Sequence, residues 1–217
     1  MREEVGIRAY EPRDRSAIRE LCCDTAQWGA PMRTLFPDGE VLADLLTRYY
    51  TDYEPHSVWV AESAGSVIGY LTGCLDSRRA RWITAWLVGP WVVWRALARG
   101  ALCRWGTWRL LGAGVGTWWR GGLRRRASVK PYPAHLHVNV RQGFRGRQVG
   151  QRLVERFLEQ ARQAGVAGVH ASVRGDNVAG RHFFERLGFA PLGRSPVALP
   201  AGTQLEFHET IIYGKRV

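Results

Sequence analysis

Two histidines, and a run of glycines and arginines beyond them, have the types and spacing to do chemistry. His135 and His137 lie in AHLHVNV, residues 134–140. Leu136, Val138 and Val140 recur there with period two, which predicts a strand. Residues two apart on a strand share a face, so both imidazoles would project together. An imidazole titrates near neutral pH and can take a proton from an amine nucleophile. Core histidines bonded to neighbouring strands would fit the same pattern. Next, Gly143, Gly146 and Gly150 punctuate a loop that also holds Arg145 and Arg147. From Gln148 onward, Val149, Leu153, Phe157 and Val154, Leu158, Ala161 repeat at helical spacing. A glycine-containing loop feeding a helix start offers N–H groups and a positive dipole end, which suits a phosphate. A merely structural turn is the competing reading.

A second segment makes the loop specific. After the helix the spacing predicts a strand over Val166–Val173, followed by RGDNVAGRHFFERLGF at residues 174–189. The two segments together resemble the GNAT superfamily of N-acetyltransferases. Its coenzyme A loop, Q/R-x-x-G-x-G/A, is matched by Arg145, Gly146, Arg147, Gln148, Val149 and Gly150. Its N-x-x-A-x-x-F-Y-x-x-x-G-F signature is matched by Asn177, Phe183, Gly188 and Phe189. Gln148 departs from the usual first glycine of the loop, Gly180 from an alanine and Phe184 from a tyrosine. Further stretches, at residues 36–62, 69–76 and 132–140, are similar to bacterial GNAT proteins related to the acetyltransferase-like domain of some O-GlcNAcases.

The resemblance implies acetyl-CoA as cofactor, no metal, and direct attack by an amine in a ternary complex. By position, Val138, Asn139 and Val140 should contact the acetyl-pantetheine arm. The N–H groups of Gly146, Arg147, Gln148, Val149, Gly150 and Gln151 should hold the pyrophosphate, helped by the charges of Arg145 and Arg147. Asn177 and Phe183 should sit at the cofactor's other side. The histidine pair resembles the His-x-His of arylalkylamine N-acetyltransferases, but its spacing to the loop is one residue shorter. Without a compensating bulge, a one-residue slip would turn both rings to the opposite face. Glu54 and Asp76 are alternative bases, and Phe184 leaves no evident general acid, since His182 faces elsewhere on its helix.

The elements that must position these residues read as β-α-α-β-β, an insert, then β-α-β-α-β-β. That order predicts an α/β (α+β) fold, a mixed and mostly antiparallel sheet flanked by helices, as in the GNAT fold. Residues 5–10 suggest a first strand, with Asp14 or Ser16 capping a helix that runs through Thr25 and Ala26. A second helix is expected over 39–50, with Val41, Leu42, Leu45 and Leu46 inward, then two strands joined at Ala64-Gly65-Ser66. The chain of 217 residues fits one domain, 1–217, with the insert at 77–133 between the third and fourth strands.

The insert is unusual in composition. It holds eight of the ten tryptophans, and from Ser77 to Val154 there is no acidic residue against sixteen basic ones. The remaining residues carry 15 basic against 19 acidic side chains, so all of the +12 formal charge has its origin in that block. Two or three amphipathic helices are expected, interrupted at Gly89-Pro90. Trp91, Trp94, Ala98, Leu102 and Trp105 would share one face, with Arg95 and Arg99 elsewhere. Gly112, Gly114, Gly116, Gly121 and Gly122 suggest a looser last third. The tryptophans could pack on the sheet while the arginines face water, or wall a lid over the acceptor site. Attachment to anionic lipid or contact with nucleic acid ranks below both.

The four cysteines show no metal-ligand spacing and suit reduced thiols in a cytoplasm. The charged N-terminus does not read as a secretory signal, and no apolar run nears the roughly 18 residues of a membrane span. The expectation is therefore a cytoplasmic N-acetyltransferase for a small amine, aromatic or bulky, without specific nucleic-acid recognition; a homodimer stays open. The alternatives are a CoA-binding regulatory module with little catalysis, and a basic binder of nucleic acid or membrane surfaces through the insert.

Overall fold

The computed structural model describes residues 4–25, 38–100, 105–119, 129–201 and 204–217. Seven strands form one sheet: β1 (Val5–Ala9), β2 (Val58–Ser63), β3 (Ser66–Cys74), β4 (Ala134–Val140), β5 (Gly168–Arg174), β6 (Ala190–Ala201) and β7 (Gln204–Arg216). Their order is β1-β2-β3-β4-β5-β7-β6, and every pairing is antiparallel except β4 with β5. The helices are α1 (Arg15–Thr25), α2 (Gly39–Tyr53), α3 (Ser77–Ile83), α4 (Gly89–Ala98), α5 (Trp105–Trp119), α6 (Val149–Gln163) and α7 (Val178–Arg186). The expected order of elements and mixed sheet are present.

Alternation along the strands builds two cores. Ala134 and Leu136 of β4 face α6, whose Leu153, Val154 and Phe157 are fully buried among them. Burying side chains of this size contributes roughly 1.5–3 kcal/mol each. On the other face Val58, Val60 and Tyr70 meet Ile18, Leu21 and Cys22 of α1. Gly73 of β3 lets α6 come close: a Cβ there would lie 2.2 Å from the Phe157 ring. The β2–β3 hairpin turns at Ala64 and Gly65, both with positive φ (48° and 73°), as a two-residue turn requires.

Local expectations differ at several points. Asp14 does not cap α1 but closes a 3₁₀ turn before it, accepting from the Glu11 N–H at 2.9 Å and from Arg8. Leu45 and Leu46 are exposed rather than inward, because α2 turns Asp44 inward to receive Arg19 and Arg95. The helix starting at Ser77 does not stop at Gly89-Pro90. It passes through a π turn, Thr84–Val88, into α4, with Pro90 in the first turn where its missing N–H costs nothing. α4 ends at Ala98, with Gly100 at φ 63°, so the face expected to run on to Trp105 is broken. Gly112, Gly114 and Gly116 lie within α5 rather than a loose segment. Ala26, Leu102, Cys103, Gly121 and Gly122 lie outside the described residues.

Candidate active site

The geometry of the site begins where two strands part. β4 and β5 are paired at Ala134–Val169 and His135–His170 and nowhere further along. β4 stays on β3 as far as Val140, and β5 stays on β7 as far as Arg174, so a wedge opens between them. The Arg141 N–H donates to Ile68 O at 2.8 Å, across the register in which Asn139 pairs Tyr70 and His137 pairs Thr72. In an antiparallel ladder such bonded residues alternate with ones whose backbone turns the other way. Leu136, Val138 and Val140 therefore direct their N–H and C=O groups into the wedge. Arg145 Nε takes up the Val140 carbonyl at 3.0 Å, fixing the loop to the strand end.

The mouth of the wedge is the N-terminus of α6. The Arg152 N–H makes the bond to Gln148 O at 3.0 Å that begins the helical ladder. Val149, Gly150 and Gln151 precede it, so their N–H groups have no intrahelical acceptor. Gly146 (φ 76°) and Gln148 (φ 60°) are both left-handed and wind the loop tightly enough to aim those donors outward. The position where a glycine is usual is thus one where the backbone demands glycine-like freedom, and Gln148 occupies it under strain. Arg147 stacks its guanidinium over Phe144, 5.2 Å from the ring centroid. Phe183 of α7 lies against Gly150, whose Cβ would meet its ring at 3.4 Å, so α7 forms the far lip.

Asn177 is the cap of α7, its Oδ1 accepting from the Gly180 N–H at 2.9 Å. A Cβ on residue 180 would come within 2.6 Å of the Asn177 amide nitrogen, which accounts for glycine in place of alanine. Phe184 is buried, set edge-on to Phe183 and Phe189 and stacked on Tyr213.

Behind the root of the wedge, on the α2 side of the sheet, is a cavity of about 690 Å³. Tyr49, Tyr50, Cys74, Arg81, His135 and His170 are among its walls. The rings of His135 and His170 are 4.9 Å apart, and His170 Nδ1 lies 2.8 Å from the Tyr132 carbonyl. β4 has no register shift, and His135 stands on its cavity face. His137 and Asn139 share that face by alternation. His137 is open to solvent at the floor of a concavity, and its Nε2 lies 3.2 Å from Asn139 Nδ2, which also reaches the Tyr70 hydroxyl at 2.8 Å. The protein mass around it disfavours the imidazolium and holds its pKa below the ordinary histidine value.

The other ionisable groups nearby are poorer bases. Burial pushes the Cys74 thiol up to about 12, with the Glu54 charge adding to it. Burial likewise raises the Tyr50 phenol. Glu54 is committed to structure, accepting from Tyr49, Ser57 and the Leu75 N–H. Asp76 caps α3 through the Arg78 and Arg79 N–H groups. His170, Tyr49 and Tyr50 had no signal in the sequence, because only the β4–β5 adjacency and the docking of α2 bring them to His135. Among the described residues no cluster of side chains could hold a metal.

The insert lines this cavity, but not as expected. Ser77, Ala80, Arg81, Thr84, Ala85 and Thr117 contribute walls, and none of the described tryptophans does. The aromatic surface comes from α2.

Residues 105–189 match the acetyltransferase (GNAT) family. Among solved structures the chain is similar to SsHAT, at 26% identity over 98% of each chain and a TM-score of 0.72. It is also similar to an N-acetyltransferase from Staphylococcus aureus Mu50, at 14% identity over 98% of each chain and a TM-score of 0.61. A third similarity is to yncA from Salmonella typhimurium, solved with its cofactor acetyl-CoA, at 17% identity over 98% of this chain and 93% of that one, with a TM-score of 0.57. The last two carry the fold alone.

Proposed function

We propose that this chain is an acetyltransferase of the GNAT family, which its residues 105–189 match, and that it binds acetyl-CoA in the β4–β5 wedge and transfers the acetyl group to the amine of a small acceptor. The observation that carries the reading is the alignment of an opened strand pair with an uncapped, left-handed entry to α6. The residues fit the group. A diphosphate suits the N–H groups of residues 146–151 and the charges of Arg145 and Arg147. Val138, Asn139 and Val140 take the pantetheine arm, while Asn177 and Phe183 form the opposite side. Acetyl-CoA supplies a thioester, open to attack by an unprotonated amine.

The chain's own residues then do three things. The wedge-facing N–H of Val138 polarises the thioester carbonyl. The cavity behind the wedge holds the acceptor against it, so that much of the acceleration comes from orientation. His137, kept neutral by its surroundings, accepts the amine proton directly or through water once its Nε2 exchanges the Asn139 N–H for the acceptor, and His135 contacts the acceptor beside His170. Two tyrosines in the wall suit an aromatic or bulky amine. We place the reaction in a reducing bacterial cytoplasm, where the buried thiols Cys22 and Cys74 persist.

Thiol release across an amine panel tests the activity. With an accepted amine saturating, kcat should rise with pH through an inflection below 6.5, since protonated His137 cannot accept the proton. His137→Ala should lower kcat by about 10²–10⁴-fold and erase that inflection. An unchanged profile would remove His137 as the base. A second reading, cofactor binding with little turnover, is favoured by Phe184, whose buried phenyl ring offers no proton to a departing thiolate. Micromolar binding of acetyl-CoA with no acceptor turned over would favour it.

A further inference from the structure

From Ser77 to Ala98 the chain is one helical run, α3 and α4 joined by the π turn. Its inward side buries Ala80, Ile83, Val88 and Ala96, and arginines near its end tie it to α2. Arg95 donates to Asp44 at 2.6 Å and to Glu40 at 3.2 Å, and Arg99 to Asp38 at 2.6 Å. Asp44 is fully buried and also receives Arg19, so this cluster fastens α4 to α2. Large apolar side chains also point outward: Trp82, Trp86 and Trp94 are 61%, 67% and 58% exposed, with Leu87, Val93 and Leu97 about half exposed beside them. An exposed row of this kind marks a docking surface.

We propose that this row seats in the headgroup region of an anionic phospholipid bilayer, holding the protein on a membrane surface. Tryptophan is enriched at that boundary, where its ring body is apolar and its N–H meets water. Arg78 stands one helical turn before Trp82 on the same side; it and Arg79 are exposed and make no ion pair among the described residues. Arg81 is exposed as well, and the run Ser77–Ala98 holds no acidic residue, the complement of a surface of phosphates. A second copy meeting the first through this face would bring the same cations together. Nucleic acid would answer the charge but leave Leu87, Val93 and Leu97 uncovered. Among the described residues no helix is long and apolar enough to cross a membrane, so the row lies on the bilayer rather than in it.

Flotation of the full chain with vesicles of phosphatidylcholine, with and without phosphatidylglycerol, tests this. The protein should float with the anionic vesicles and bind phosphatidylcholine alone at least about tenfold more weakly. Trp82→Ser combined with Trp86→Ser should lose about tenfold in anionic-vesicle binding, at unchanged unfolding temperature, because both side chains are exposed. Arg78→Glu with Arg79→Glu keeps the apolar row and should weaken anionic binding by a similar factor. The proposal fails if the anionic vesicles do not retain the protein, or if the tryptophan variant binds them like the parent. It fails equally if that variant loses instead a concentration-dependent dimer or an RNA complex that the parent forms.

Discussion

Gln148 holds a backbone conformation that L side chains enter at a cost of roughly 1–2 kcal/mol, with φ at 60° immediately before α6. Its side chain makes no capping bond to the helix it precedes. What the position needs is the turn itself, which aims the N–H groups of Val149–Gln151 out of the loop. Gln148→Gly should therefore stabilise the fold by about 0.5–1 kcal/mol, the relieved strain less the extra freedom glycine gains on unfolding. Urea unfolding measures this, and Gln148→Val should move the other way because a branched Cβ fits the left-handed region least. A loss of stability in the glycine variant would mean that the side chain contributes a contact that outweighs the strain. Read as a motif, Gln148 was a departure from a pattern. Its φ shows why the pattern favours glycine, and that is not visible in one sequence.

At the scale of elements, the family resemblance singled out the two motifs that bracket the wedge, while period-two and helical spacing were enough to place β4 and α6. They failed in the insert and in α2 for one physical reason. The rule that apolar residues turn inward assumes that nothing stronger competes for the interior. Here Asp44 and Asp38, nearly inaccessible to solvent, draw in Arg19, Arg95 and Arg99. Arg19 and Arg95 reach in to Asp44 while Arg99 stays half exposed, and Leu45 and Leu46 on α2 and Trp82, Trp86 and Trp94 of the insert face solvent. Removing one partner of a buried pair costs about 3–5 kcal/mol, more than turning one large side chain to solvent, so the ion pairs decide the orientation. The contact between α6 and the sheet follows the ordinary rule and is tight. Gly73→Ala would drive a methyl group into the Phe157 ring, which is fully buried and has nowhere to move. It should cost about 1–3 kcal/mol, read as a lower urea midpoint with an unchanged slope. Gly73→Ala combined with Phe157→Leu should recover part of the loss if the clash is the cause.

For the molecule as a whole, the wedge interrupts the sheet. β4 and β5 are its one parallel pair, and they give up their ladder after two residue pairs. On that side the backbone groups of Val138 and the N–H of Val140 are left to whatever fills the gap, the Val140 carbonyl being taken by Arg145. An extended chain of amides and carbonyls, as in a pantetheine arm, would complete the sheet while the helix mouth holds a diphosphate. Acetyl-CoA should then behave as a missing strand. At 100 times its dissociation constant it should stabilise the folded state by about 2.7 kcal/mol, or roughly 5–10 °C in Tm for a domain of this size. Two comparisons divide the effect between arm and diphosphate. Pantetheine, which keeps the arm and lacks the diphosphate, should give a much smaller shift that is insensitive to salt. The acetyl-CoA shift should shrink as salt is raised, because the loop arginines and N–H groups meet charge near the surface. Equal shifts from both compounds would mean that the α6 mouth contributes nothing, and no shift from acetyl-CoA would mean that the parted strands are not a cofactor groove.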